Sequence, residues 1–184
     1  AVSYLYYADR VYQINLAIAG IAVGTVSLPV LTKAFKSKNF LKVSRIQNKS
    51  IELSLLLSIP ASLGLIIASE EIINGLFGYG SFTIDDVKIT SDALMFFGYG
   101  VIAFALVKIL SNFFFARDDT KTPFYISSFI VFLNVLISVS FFKKIGFLII
   151  PISTSFSTWI GVLIFIYLLK KKKYLQLENK LLGS

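Results

Sequence analysis

The chain has 184 residues, 56% of them apolar and only 15% charged, with 18 Lys and Arg against 10 Asp and Glu for a formal net charge of +8. Soluble domains carry about 45–50% apolar and about 25% charged residues, so this composition argues against a soluble single-domain fold, and its apolar and aromatic content is too high for a disordered chain. Cys and His are both absent, which removes disulfides, thiol chemistry, His general bases, Ser-His-Asp triads and Cys or His metal sites.

Five apolar runs come close to the roughly 20 residues a helix needs to cross a bilayer core, and they predict an all-α, polytopic integral membrane helix bundle. The first covers residues 4–31 and is uncharged from Val11 onward; the second, 51–69, carries Glu52 at its entrance and Pro60 inside. The third, 93–116, holds a single charge, Lys108. The fourth covers 123–142 and the fifth 146–169, with Pro151 near its start. Neither interior proline argues against a membrane helix, because neighbouring helices and hydroxyl side chains satisfy the freed carbonyls. Thr122 and Pro123 read as an N-cap followed by proline at the first helical position. Gly75, Gly78 and Gly80 predict a loop between the second and third runs. The chain opens on Ala rather than Met, with no basic leader before a short apolar core, and is expected to be a segment of a longer protein.

The connections carry the topology. Lys33, Lys36, Lys38, Lys42, Arg45 and Lys49 lie between the first two runs without an acid among them, whereas Glu70, Glu71, Asp85, Asp86 and Asp92 face a single Lys88 in the next connection. Arg117 and Lys121 follow, then Lys143 and Lys144, then the tail with Lys170 to Lys173 and Lys180. Alternating sides collect thirteen basic residues on one face of the membrane and three on the other. The positive-inside rule then runs the first helix from outside to inside and leaves the C-terminus cytoplasmic. The lysine run after the fifth helix reads as a stop-transfer signal and an anchor for anionic membrane lipids. Nucleic acid as a partner would need basic residues interleaved with aromatics on a soluble face, which such a chain does not offer.

At 100° per residue, Asp9, Arg10, Gln13, Ala17, Gly20, Gly24 and Ser27 fall within about a 100° arc of the first helix. Two readings stay open. Arg10, Asp9 and Gln13 line a water-filled cavity suited to an anion, with Gly20 and Gly24 admitting a neighbouring helix, or else Asp9 and Arg10 only anchor the helix at the outer interface. Lys108 forms an i, i+3, i+4 cluster with Ser111 and Asn112, either snorkelling to the headgroups or facing a polar pathway. Ser127, Asn134 and Ser138 share a face of the fourth helix, and the fifth carries five hydroxyls from Ser153 to Thr158, a pattern more typical of helix packing than of substrate contact. Asp118 and Asp119 invite a metal reading, but no second acidic cluster supports one, and they suit a helix start. No metal or cofactor is expected.

Several strings together resemble the bacterial lipid II flippases often called MurJ or MviN, within the multidrug/oligosaccharidyl-lipid/polysaccharide exporter superfamily. They are Tyr6-Tyr7-Ala8-Asp9-Arg10, Gly24-Thr25 through Leu28-Pro29, and Leu76-Phe77 through Gly80 with Phe82-Thr83 and Asp86. Val107-Lys108-Ile109-Leu110 and Phe115-Ala116-Arg117 with Asp119-Thr120-Lys121-Thr122-Pro123 complete the set, which spans residues 4–123. The fourth and fifth helices match only in hydropathy and spacing. The resemblance implies about fourteen helices in two lobes, with this chain supplying helices eight to twelve. It also implies that an undecaprenyl-diphosphate-linked peptidoglycan precursor crosses the bacterial inner membrane by alternating access, the N-terminal lobe of the same protein completing the cavity. In such proteins the arginine matching Arg10 lies in the central cavity. Two positions depart from the pattern: Asn15 stands where proline is usual, and Gln13 where some members carry a carboxylate, so ion coupling through that acid does not carry over.

The resulting expectation is a transporter and not an enzyme, with Arg10, Asp9 and Gln13 at the substrate, Lys108, Asn112 and Asn134 as secondary candidates, and Gly20 and Gly24 for packing. A drug or cation antiporter of the same superfamily would be expected to show cavity carboxylates, of which only Asp9 qualifies. A membrane scaffold would use every polar face for packing, and a membrane glycosyltransferase would want an acidic metal-binding loop.

Overall fold

A computed structural model describes residues 2–80 and 82–175. Among them the chain is helical throughout: α1 (Val2–Leu16), a π-helical turn (Ala17–Ala22), α2 (Val23–Lys36), α3 (Phe40–Ile67), α4 (Ser69–Phe77), α5 (Ile84–Phe115), α6 (Lys121–Ile145), a 3-10 turn (Gly146–Leu148) and α7 (Ile149–Lys171). Four continuous helical stretches are long and apolar enough to cross a membrane, beginning with Ser3–Lys36, in which α1, the π turn and α2 run on without a break. The last, Lys121–Lys171, reverses at Gly146, whose φ of +73° and ψ of −152° belong to a region essentially restricted to glycine. The antiparallel pairing of α6 with α7 that follows makes five crossings.

Helix ends lie where local chemistry puts them, and several lie beyond the apolar runs. The first crossing ends at a three-residue turn, Ser37 to Asn39, where Asn39 caps α3 by accepting the Lys42 N–H at 3.0 Å. Lys33 and Lys36 therefore sit in the last turn of α2, and Lys42, Arg45 and Lys49 in the opening turns of α3, rather than in a loop. Gly75 lies inside the short helix α4, so among the described residues the outer connection is non-helical at 78–80 and 82–83. Thr83 and Asp86 form a reciprocal capping box at the start of α5, which begins nine residues before its apolar run because Asp85 and Asp86 suit a first turn. At α6 the capping side chain is Asp119 and not Thr122: its carboxylate accepts the Thr122 N–H at 3.0 Å and the Thr122 hydroxyl at 2.9 Å, and Pro123 is the third helical residue. Lys180 falls outside the described residues.

The bundle has a basic end and an acidic end. α5 is its axis, with α1, α2, α3, α4 and α7 packed around it, while α6 packs on α7 and buries only Pro123 and Ile126. One apolar core at the basic end gathers Leu31, Val43, Ile109, Phe113, Phe114 and Phe165; a second at the acidic end gathers Ala8, Tyr12, Leu65, Ile73, Leu94 and Phe97. Along α3, Ser50, Ser54, Ser58 and Ser62 are buried at four-residue spacing, and at the α5 contact the Ser62 hydroxyl donates to the Gly98 carbonyl at 2.8 Å. The four-residue recurrence of serine is plain in the sequence.

Candidate functional site

The π turn decides which residues of the first crossing share a face. It accommodates one extra residue, which turns everything beyond it by about 100° relative to an unbroken helix. The buried stripe accordingly runs Ala8, Tyr12, Ala19, Gly20, Gly24, Ser27 and Leu31, against α5 over much of its length. Arg10, Gln13, Ala17 and Ile21 form a separate, exposed stripe, with Asp9 half-buried at its edge. The single polar and small arc expected from an ideal helix is thus two faces. Gly20 meets the Ala105 Cα, which would lie 3.2 Å from an added Cβ, and Gly24 meets Asn112 and Lys108.

Arg10 is exposed and stacks over Tyr6, 4.8 Å from the ring centroid. The Asp9 carboxylate accepts from the Gln13 amide one turn on and lies beyond salt-bridge distance of the Arg10 guanidinium. Depth follows from Tyr4, whose hydroxyl donates to Asp86 and so sets α1 level with the start of α5. Arg10 lies six residues further, about 9 Å deeper, where the last acid of α5, Asp92, gives way to its apolar run.

The second cation lies toward the other end. A groove of about 590 Å³ opens between the first crossing, α5 and the start of α6, lined by Leu16, Ile21, Phe104, Lys108, Ser111 and Phe124 among others. Lys108 is exposed in it and pairs with no carboxylate among the described residues. Ile21 belongs both to this groove and to the exposed stripe, so the stripe leads from Arg10 to Lys108. Tyr12 stacks on Phe97, which sets the axial register of the two helices, and on that register the two cations are about 20 Å apart along the bundle.

The remaining candidates are engaged within the protein. The Asn112 amide is buried and donates to the Gly24 carbonyl at 2.8 Å. Asn134 donates to the Thr154 hydroxyl at 3.0 Å and accepts from Ser138 and Ser153, joining α6 to α7.

A cluster at the basic end was not anticipated from the sequence. The carbonyl of Tyr174, just beyond α7, accepts from the Gln47 amide at 2.9 Å and from Arg117 at 2.8 Å. Arg117 also donates to the Phe113 carbonyl at 2.6 Å and stacks on the rings of Phe35 and Tyr174. Burial pushes its pKa below the ordinary arginine value, against a charge interaction with Tyr174. Beside it Lys172 donates to Asp119 at 2.7 Å and to Thr122 at 2.8 Å. Burial alone would raise the Asp119 pKa, but the bonds from Lys172 and Thr122 outweigh it and hold the carboxyl below the usual carboxylate range. Arg117, Asp119 and Thr122 lie in a string already singled out by resemblance, yet their partners are a backbone carbonyl and a lysine more than 50 residues away, which no spacing rule reveals.

Helices of this length around an apolar axis, with one end basic and charges confined to exposed stripes and helix ends, define a multi-pass integral membrane protein. The family model described as "Lipid II flippase MurJ" matches residues 1–183. Curated relatives called probable lipid II flippase MurJ include one from Rickettsia prowazekii, 38% identical over 174 residues, covering 94% of this chain and 34% of the relative. Another, from Rhizobium meliloti, is 37% identical and covers 89% of this chain and 31% of the relative. Among solved structures, a lipid II flippase MurJ in an inward closed conformation matches with a TM-score of 0.85 at 30% identity, covering 94% of this chain and 37% of that one. The chain belongs to the lipid II flippase MurJ family, and it spans about a third of the length of the relatives it matches.

Proposed function

We propose that this chain is part of a flippase that carries a lipid-linked peptidoglycan precursor, an undecaprenyl-diphosphate conjugate, across the bacterial inner membrane by alternating access. The observation that carries the reading is the exposed stripe Arg10, Gln13, Ala17 and Ile21, which joins one cation that makes no salt bridge among the described residues to the groove of another. A diphosphate suits both ends: guanidinium binds phosphate through two parallel hydrogen bonds and stays charged when desolvated, and an ammonium serves as a compact point charge. The head group enters at the Lys108 groove and is handed along the stripe to Arg10, while the polyprenyl tail stays against the apolar flanks. No covalent bond is broken, and the protein acts as a transporter and not an enzyme.

In this reading the basic end faces the cytoplasm, where Lys33, Lys36, Lys42, Arg45 and Lys170 to Lys173 meet anionic lipids, and the C-terminus is cytoplasmic. The exposed stripe faces the N-terminal lobe, which completes the cavity. Asp9 holds Gln13, leaving Arg10 to the substrate, and the contact of Gly20 with Ala105 keeps the first crossing and α5 moving together.

The test is growth complementation by the full-length protein in cells depleted of their own flippase. Arg10→Ala is expected to abolish it; normal complementation by a well-expressed variant overturns the role of Arg10. A Gln13→Cys or Ala17→Cys protein should react with a water-soluble thiol reagent, whereas protection of both would mark a packed face and favour a scaffold. Efflux of a cationic drug without precursor transport by the reconstituted protein would favour an antiporter.

A further inference from the structure

The α6–α7 hairpin is closed covalently at one end, through Gly146 to Leu148, and by side chains at the other. At that open end Lys172 Nζ reaches Asp119 Oδ2 at 2.7 Å and Thr122 Oγ1 at 2.8 Å, bridging the end of α7 to the first turn of α6. That first turn is also a wall of the Lys108 groove, through Thr120, Pro123, Phe124 and Ser127. α6 is weakly held elsewhere on this side: among its residues only Pro123 and Ile126 are buried, and it hardly touches α5. Lys172 is itself fixed, because Arg117 and Gln47 grip the carbonyl of Tyr174 two residues on, tying the end of α7 to α5 and α3.

We propose that Lys172 is a positioning residue that sets the width of the Lys108 groove by pinning the start of α6, with Asp119 and Thr122 as its acceptors. With the tie made, the wall carrying Phe124 and Ser127 is held at a fixed distance from α5. With the tie broken, the first turns of α6 keep the short turn from α5, where the Asp119 N–H still donates to the Phe114 carbonyl, and their packing on α7, but lose the cross-link that fixes their angle, and the mouth of the groove changes width. The tie thus couples the end of one helix to access at a site formed by three others. An ion pair partly withdrawn from water suits such a tie, since Asp119 is 17% exposed and Lys172 38% exposed and the contact is screened less than a surface pair while remaining breakable. The consequence for head-group entry rests on the transport reading above; the geometry does not, and its test is independent of transport.

The experiment uses the full-length protein in lipid nanodiscs, with spin labels at Tyr125 on α6 and Leu41 on α3, exposed by 69% and 82%. Distances between the labels are expected to fall in one narrow distribution for the parent. Lys172→Ala and Asp119→Asn should each broaden it and displace its mean, and the exchanged pair Asp119→Lys with Lys172→Asp should restore it. In parallel, Ser127→Cys should label with a water-soluble thiol reagent several-fold faster in either single variant and at the parental rate in the exchanged pair. Arg10→Ala should leave both readouts unchanged, so loss of the transport reading and loss of this one are distinguishable. Single variants with the parental distribution and labelling rate overturn the proposal. So does an exchanged pair that melts like the parent yet keeps the broadened distribution.

Discussion

Replacing Gly20 by valine tests the close approach of the first crossing to α5. A Cβ at Gly20 would lie 3.2 Å from the Ala105 Cα, 3.4 Å from a Leu16 methyl and 3.7 Å from the Ala105 Cβ. Carbon atoms rest at about 3.5–4.0 Å, so the Cβ alone is a few tenths of an ångström too close, and the two further carbons of valine add volume to the same contact. The Leu16 methyl can swing aside, but the Ala105 Cα is backbone. The first crossing must therefore move away from α5, which strains the Tyr12–Phe97 stack, with ring centroids 5.0 Å apart, and the 2.8 Å bond from Asn112 to Gly24. Overpacking of this kind costs about 1–3 kcal/mol, and an interhelical hydrogen bond in a membrane contributes about 0.6 kcal/mol. The sum, about 1.6–3.6 kcal/mol, corresponds to roughly 15- to 400-fold in the folded-to-unfolded ratio. Gly64 is the control, because a Cβ there meets nothing within 4 Å. Gly64→Val should be within about 0.5 kcal/mol of the parent, as surface substitutions generally are. Equilibrium unfolding of the full-length variants in detergent measures the difference, and equal stabilities for Gly20→Val and Gly64→Val would refute the close packing derived from the glycine.

Other consequences concern helix ends and polar ties. Asn112→Leu should destabilise by about 0.6–1.7 kcal/mol while leaving complementation intact, since its amide is spent on the Gly24 carbonyl; loss of complementation without loss of stability would assign it to the substrate. Thr83→Ala removes the capping box of α5 and should cost about 0.5–2 kcal/mol, read as a lower unfolding midpoint. Because the Asp119 pKa is depressed in the folded protein, its contribution is present above the unfolded value of about 3.9 and is lost as pH falls through the lower folded value. The midpoints of the parent and Asp119→Asn should therefore differ near neutrality and converge in acid. Arg117→Lys should destabilise despite keeping the charge, because an ammonium cannot bond both the Phe113 and Tyr174 carbonyls in the geometry of the guanidinium fork; a parental melting curve would contradict this.

The sequence alone makes the crossings legible because membrane insertion is governed by local quantities: the length of an apolar run against the thickness of hydrocarbon, and the number of cations in each connection. Those quantities located five crossings and separated thirteen basic residues from three. The string around Arg10 and the one around Asp119 were equally visible, as chemistry next to apolar helices. Helix ends were less so. Lys42, Arg45 and Lys49 extend α3 by three turns beyond its apolar run, since charged residues form helix as readily as apolar ones and only the capping by Asn39 marks the start.

What tertiary structure decided was orientation and partnership. An ideal helix places Arg10 and Gln13 on the face of Gly20 and Gly24; the π turn at Ala17–Ala22 rotates one set away from the other and sets Gly20 against Ala105, a residue 85 positions away. Asn112 and Asn134, polar and membrane-embedded, qualified as ligands on sequence, but their acceptors are the Gly24 carbonyl and the Thr154 hydroxyl on neighbouring helices. Arg117 and Gln47 meet at the Tyr174 carbonyl, an acceptor every residue possesses and no sequence letter marks. Composition and charge by themselves determined that this chain crosses a membrane and which end is basic, because burial in lipid is scored residue by residue. Which polar side chains are bonded within the protein was settled only by packing, because a side chain is spent according to the neighbour that the fold sets beside it.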